Sequence, residues 1–193
     1  MRGTELLSML RRSYEAVNPS LPPKRRERSS HRSRSQKWVD QLARQLQNKY
    51  PRNLGYRVFW LGNRESRRDF GLNELLFDIA VCRVSRAKSP VHARELHLVS
   101  RSIWQVESEF AKNGRQALFD FNKLVMGDSI HKLFIAPLVS PVSEYLELLE
   151  AAARHCTGTL FVAMVPHPSD WSDYHASDIS LVKYRGGKWN HQR

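Results

Sequence analysis

Cysteine is nearly missing from this chain. Cys82 and Cys156 are the only two. They lie far apart, so one disulfide can form at most, and nothing suggests a secreted disulfide framework. The expectation is a reducing, cytoplasmic setting. Long apolar runs are missing too, and none approaches the length that spans a bilayer. The first residues lack the apolar stretch and cleavage site of a secretory leader. No glycine-rich phosphate cradle follows a strand, which argues against a nucleotide-driven enzyme. Acidic residues are in short supply: 19 Asp and Glu stand against 31 Lys and Arg, for a net charge of +12. That balance points to an anionic partner, either nucleic acid or an acidic membrane surface.

The excess of positive charge is concentrated at the front. Residues 1–37 hold ten Lys and Arg and three Glu, a net of +7. Within them, Thr4–Val17 predicts an amphipathic helix capped by Thr4. NPSLPP then breaks it. KRRERSSHRSRSQK, residues 24–37, lacks a hydrophobic anchor and reads as a flexible basic linker. Residues 1–35 are therefore expected to form an N-terminal helix plus linker, and residues 36–193 an α/β domain.

In that domain, 36–50 predicts a helix with Trp38, Val39, Leu42 and Leu46 as its apolar stripe. YRVFWLG (56–62) predicts a strand and NRESRRDFG (63–71) a polar loop. ELLFDIAVCRV (74–84) predicts the strongest strand, and SRAKSPVHARE (85–95) a connection. The strand leading to Phe110 follows. Helices are expected at 112–127 and 141–155, the latter with Ser140 as cap and Pro141 in its first turn. Strands are expected at 131–139 and 159–165, with an edge strand at 179–184. The order α, β, β, β, α, β, α, β implies one α/β domain: a mixed central sheet with helices on both faces.

Three carboxylates lie in apolar strand sequence. Asp78 sits within LLFDIAV. Glu107 and Glu109 sit two apart in IWQVESEF, on one face of a strand. If the two strands are neighbours, the three acids converge. Buried like charges are costly unless a cation offsets them. Hard cations such as Mg²⁺ or Mn²⁺ take carboxylate oxygens, water and substrate phosphate. Two glutamates facing solvent on an edge strand is the plainer alternative. A zinc site is rejected because His155 and Cys156 have no second pair at zinc-like spacing. Ser108 points to the opposite face and lacks a His partner, so a serine nucleophile is rejected as well.

With its acid on the second strand and an acid-x-residue pair on the third, the chain resembles the PD-(D/E)XK nuclease superfamily. That is the fold of many restriction enzymes and DNA-repair nucleases. The resemblance spans roughly residues 36–165 and implies an αβββαβ restriction-endonuclease-like core. It implies that Asp78 and Glu107 bind the metal. Glu109 stands where the superfamily normally has the lysine that activates or orients the attacking water. Phe77 stands where the motif name has Pro. Some restriction enzymes of the superfamily have Glu at the lysine position and remain active. In other members the lysine has migrated to the following helix, for which Lys123, in DFNKL, and Lys112 are candidates. The long interval from Asp78 to Glu107 implies an inserted loop around 85–100.

The resemblance implies a metal-dependent nuclease that hydrolyses phosphodiesters, with DNA the favoured substrate and Mg²⁺ or Mn²⁺ the cofactor. Asp78, Glu107 and Glu109 would hold the metal, and Lys123 or Lys112 would stabilise developing charge. Lys24, Arg25, Arg26, Arg64, Arg67, Arg68 and Lys112 would contact phosphates. Glu74 and Gln105 share faces with the acids, and Asp40 lies where some members carry an auxiliary acid. Trp60 and Trp104 are expected in the core. The alternatives are a nucleic-acid-binding or adaptor protein without turnover on the same fold, or an N-terminal arm that docks a protein partner or membrane surface. A homodimer, as restriction-type nucleases often form, is a further expectation.

Overall fold

The computed structural model describes residues 1–18, 28–91, 94–111 and 113–192. The helices are α1 (Gly3–Val17), α2 (Arg28–Lys49), α3 (Arg64–Phe70), α4 (Gly114–Met126) and α5 (Val142–Ala153). The strands are β1 (Tyr56–Phe59), β2 (Ile79–Ser89), β3 (Arg94–Ser108), β4 (His131–Pro137), β5 (Thr159–Val165), β6 (Ser180–Arg185) and β7 (Lys188–Gln192). All seven strands join one mixed sheet in chain order, β1 to β7. β1, β2 and β3 are antiparallel neighbours. β4 and β5 run parallel to β3, and β6 and β7 close the far side antiparallel. The expected α/β class, a mixed sheet with helices on both faces, is what the chain adopts. No helix among the described residues is long and apolar enough to cross a membrane.

Strand alternation splits the core in two. Ile79, Val81, Trp104, Val106, Leu133 and Ile135 face α1 and α2. Ala80, Cys82, Phe134, Ala136, Val162 and Met164 face α4 and α5. Trp60 and Trp104 are buried, as expected. β5 is buried along nearly its whole length, which its apolar run TLFVAMV requires.

Several boundaries differ from expectation, each for a physical reason. Helix α1 starts at Gly3 behind Arg2, with no side-chain cap, so Thr4 lies inside it. Its Leu6, Leu7, Leu10, Tyr14 and Val17 are buried in the same core as the sheet. Arg11 also donates to the carbonyls of Ser177 and Ile179. The segment expected to be an appended arm thus covers the sheet. The expected flexible linker is helical from Arg28 onward. Nothing between 28 and 49 is Gly or Pro, so the helix seeded at Trp38 and Leu42 runs backward without a breaker. Arg34 ties it down by donating to the Pro168 carbonyl at 2.9 Å.

The polar stretch 63–71 forms α3 rather than a loop. The Asn63 side chain accepts from the Glu65 and Ser66 amides, and Gly71 ends the helix at φ 78°. The expected strand at 74–84 starts only at Ile79, where pairing with β3 begins, β1 joining at Ala80. Asp78 therefore precedes β2 instead of lying within it. The connection and inserted loop expected between 85 and 100 are strand: β2 and β3 continue as a long hairpin, Ser89 opposite Arg94. The expected edge strand is β6, and β7 takes the edge beyond it. Helix α5 has Pro141 as its N-cap, without a side-chain cap.

Candidate metal and active site

The shared end of β2 and β3 carries the acids. Register pairs Ile79 with Val106, so Asp78 and Glu107 flank the last rungs of this ladder. Asp78 is held by the next strand: its Oδ2 accepts from the Ser108 amide at 2.8 Å and from the Ser108 hydroxyl at 2.6 Å. Ser108, rejected as a nucleophile, is thus the positioning partner of Asp78.

Glu107 is 1% exposed. Its Oε2 accepts from Lys123 Nζ at 3.1 Å, while its buried Oε1 has no hydrogen-bond partner. Burial, then the charge of Asp78, pushes its carboxyl up to about 8, against the opposing pull of Lys123. An orphaned oxygen on a buried carboxylate beside a second carboxylate fits a cation donor, and the proton is what balances the group otherwise. Lys123 is held on both sides, at 3.1 Å from Glu107 and 2.9 Å from Asp120 Oδ1, one turn earlier on α4. Burial would lower its pKa, but the hydrogen bonds to Asp120 and Glu107 outweigh burial and raise it. It is therefore a permanent cation.

Glu109 departs from the expected convergence. Its amide continues the β3–β4 pairing by donating to the Ile135 carbonyl at 2.9 Å, so it shares the α4 face with Glu107. But its Oε1 accepts from the Ala111 amide at 2.5 Å, and it lies beside Asp120. Burial, together with Asp120, raises the Glu109 pKa. That of Asp120 falls: burial opposes, but Lys123, Gln116 and Glu109 outweigh it. Asp120 was missed at the level of sequence. Its signal is the i, i+3 spacing to Lys123 within DFNK. Among the described residues, no three His, Cys, Asp or Glu side chains come together as a metal-holding group. The donors that fit a cation are thus the pair Asp78 and Glu107, with water to complete the shell.

A cleft of about 630 Å³ opens beside Asp78. Glu74, Asp78 and Ser108 line one part of it, and Arg32 and Lys37 of α2 line another. Burial, then Asp78, raises the Glu74 pKa. Asp40 also borders the cleft, with Oδ1 accepting from Trp60 Nε1 at 2.6 Å. Gln105 is locked in place: it donates to the Asp128 carbonyl at 3.1 Å and packs against Gly127, where an added Cβ would lie 2.3 Å from its Oε1.

No family model, curated protein or solved structure matches this chain.

Arg64, Arg67 and Arg68 are exposed on α3. Of the acids of that helix, Glu65 is engaged by Arg52, and Asp69 by Arg52, Arg57 and, at 3.5 Å, Arg68 itself. Lys24, Arg25, Arg26 and Lys112 lie outside the described residues.

Proposed function

We propose that this chain is a metal-dependent nuclease with a restriction-endonuclease-like core, hydrolysing phosphodiester bonds in DNA. The observation that carries the reading is the grouping of Asp78, Glu107 and Lys123: two carboxylates from neighbouring strand ends, and a lysine from the following helix bonded to one of them. The order α2, β1, β2, β3, α4, β4, interrupted only by the short α3 between β1 and β2, with three antiparallel strands and then a parallel one, supports the αβββαβ reading. Asp78 and Glu107 would hold Mg²⁺ or Mn²⁺, which when bound supplies a water of lowered pKa and offsets charge on the scissile phosphate.

The chain's own residues do the rest. Ser108 fixes the Asp78 carboxylate. Glu107 must release its proton to take a cation, so occupancy rises with pH. Asp120 holds the Lys123 ammonium at the mouth of the pair, where it can stabilise negative charge developing on the phosphate. Glu109 supports Asp120 rather than serving as a third metal ligand. Arg64, Arg67, Arg68, Arg32 and Lys37 supply contacts to phosphate that carry no sequence information.

A nucleic-acid-binding protein without turnover is the competing reading, favoured by one observation: Glu109, at the usual lysine position, accepts from the Ala111 amide and lies beside Asp120. A cleavage assay on duplex DNA, single-stranded DNA and RNA with Mg²⁺ or Mn²⁺ decides between them. The expected result is metal-dependent cleavage, abolished in Asp78→Ala and Glu107→Ala and reduced on the order of 10²-fold or more in Lys123→Ala. Binding with no cleavage by any metal, or equal cleavage by the variants, rejects the enzyme reading.

A further inference from the structure

The β2–β3 hairpin outruns the sheet that supports it. β1 pairs with β2 only from Ala80 to Arg83. β4 pairs with β3 only from Trp104 onward. The rungs from Ser85 opposite Leu98 to Lys88 opposite Glu95 therefore lie beyond the neighbouring strands as a two-stranded ribbon, anchored at its base where the Val84 amide donates to the Gly55 carbonyl. Isolated two-stranded ribbons are marginal in water, so one that projects is expected to serve a contact. Arg86 and Lys88 are exposed on it, with Glu95 bonded to Arg86, and Arg83 and Arg101 are exposed on the opposite face at its base.

Alternation places Val84, Arg86 and Lys88 on one face, with Val99, His97 and Glu95 across from them. His97 packs on Phe70 of α3, ring centroids 5.3 Å apart, and Phe70 packs on Phe59. Phe59, Phe70 and Val84 belong to the α4 side of the core. The basic face of the ribbon and α3 thus lie on the side of the sheet that carries Glu107 and Lys123. β3 carries two bulges on the way to Glu107, and along β2 only seven residues separate Arg86, opposite His97, from Ile79, opposite Val106, so His97 and Glu107 lie roughly 26 Å apart along the ladder. One turn of B-form duplex is roughly 34–36 Å.

We propose that this ribbon, with α3 beside it, is a second anchor for duplex DNA. It would enter the major groove within one helical turn of the acidic pair. This inference rests on the nuclease reading and names its substrate class. A two-stranded ribbon fits the major groove of B-DNA, whereas the deep, narrow groove of A-form RNA shuts it out. Pairing of the ribbon with a second copy would set like charges against each other, because each copy brings the same basic residues.

The test is metal-free binding of the full chain, read by fluorescence anisotropy across a salt series. The probes are a long duplex, a duplex too short to reach from Glu107 to the ribbon, and a single strand. The variants are Arg86→Glu with Lys88→Glu, and Arg86→Gln with Lys88→Gln. These positions are exposed, so both variants should keep the parent's melting curve. The expected result is affinity for the long duplex lower by about tenfold or more in the Glu variant, with the salt slope reduced by about 2. The Gln variant should fall between parent and Glu variant, and the short duplex and single strand should hardly change. Unchanged affinity for the long duplex overturns the anchor. So does an equal loss on all three probes, or altered self-association with DNA binding intact. If the anchor fails while the chain still cleaves, the nuclease reading stands; if the variants lose long-duplex binding but the chain never cleaves, the anchor stands alone.

Discussion

Glu107 decides the pH behaviour of the site, because among the described residues it is the one buried carboxyl with an oxygen left unpartnered. Its carboxyl is pushed from near 4.5 to about 8, so between those values the folded chain binds a proton that the unfolded chain does not. Without a cation, this group's stabilising contribution is full below about pH 4.5 and is lost as pH rises through about 8. Glu107→Gln keeps an acceptor for Lys123 and removes the titration. Thermal melts in EDTA at pH 5 and pH 8 should show the variant gaining on its parent at the higher pH, by on the order of 2 kcal/mol. With Mn²⁺ the parent should recover at pH 8 and the variant should not. A constant offset between the two proteins would mean that Glu107 does not titrate in this range. The nearness of Asp78 to Glu107 was legible from sequence because each acid adjoins an apolar run, although Asp78 lies just before β2 and not within it. The face of Glu109 was legible from alternation, but its engagement by the Ala111 amide was not. Asp120 was hidden because a helical acid three residues before a lysine is most often a solvated surface pair.

Elements were legible where hydrophobic periodicity ran through them. Helices α4 and α5 and strands β4 and β5 lie within two residues of expectation at most of their ends. The misreadings share one cause, since they concern segments whose structure is set by partners and not by their own apolar residues. The front of α2 is carried by propagation from Trp38, and α3 by its Asn63 cap. The distal ribbon depends on pairing between its two polar strands. Helix α1 shows the opposite error, an amphipathic stripe read as a detachable arm when its apolar face closes the sheet. Burying Leu6, Leu7, Met9, Leu10, Tyr14 and Val17 contributes on the order of 10 kcal/mol, at ~1.5–3 kcal/mol for each side chain. That rivals the whole stability of a typical domain, about 5–15 kcal/mol. Removing residues 1–17 should therefore cost cooperative folding itself, seen as loss of the sigmoidal melt by circular dichroism. A truncated chain that melts like its parent would return α1 to the status of an appendage.

At the scale of the whole molecule, acid and base are sorted in space. Of the net charge of +12, α2 carries +5, α3 +1 and the ribbon sequence 84–99 +2, while Glu74, Asp78, Glu107, Glu109 and Asp120 gather at the shared end of β2 and β3 and on the facing turn of α4. A basic surface attracts a polyanion and raises its local concentration. An acidic pair in its midst repels phosphate unless a cation bridges the two. The central claim is that Asp78 and Glu107 form that bridge. The most direct measurement is a crystal structure at about pH 8 with Mn²⁺ soaked in, read by anomalous scattering. The account expects one peak within bonding distance, about 2.2 Å, of an oxygen of Asp78 and of Glu107, with Lys123 still held by Asp120. No peak there, with Glu107 still bonded to Lys123 and Mn²⁺ found elsewhere or nowhere, would contradict it.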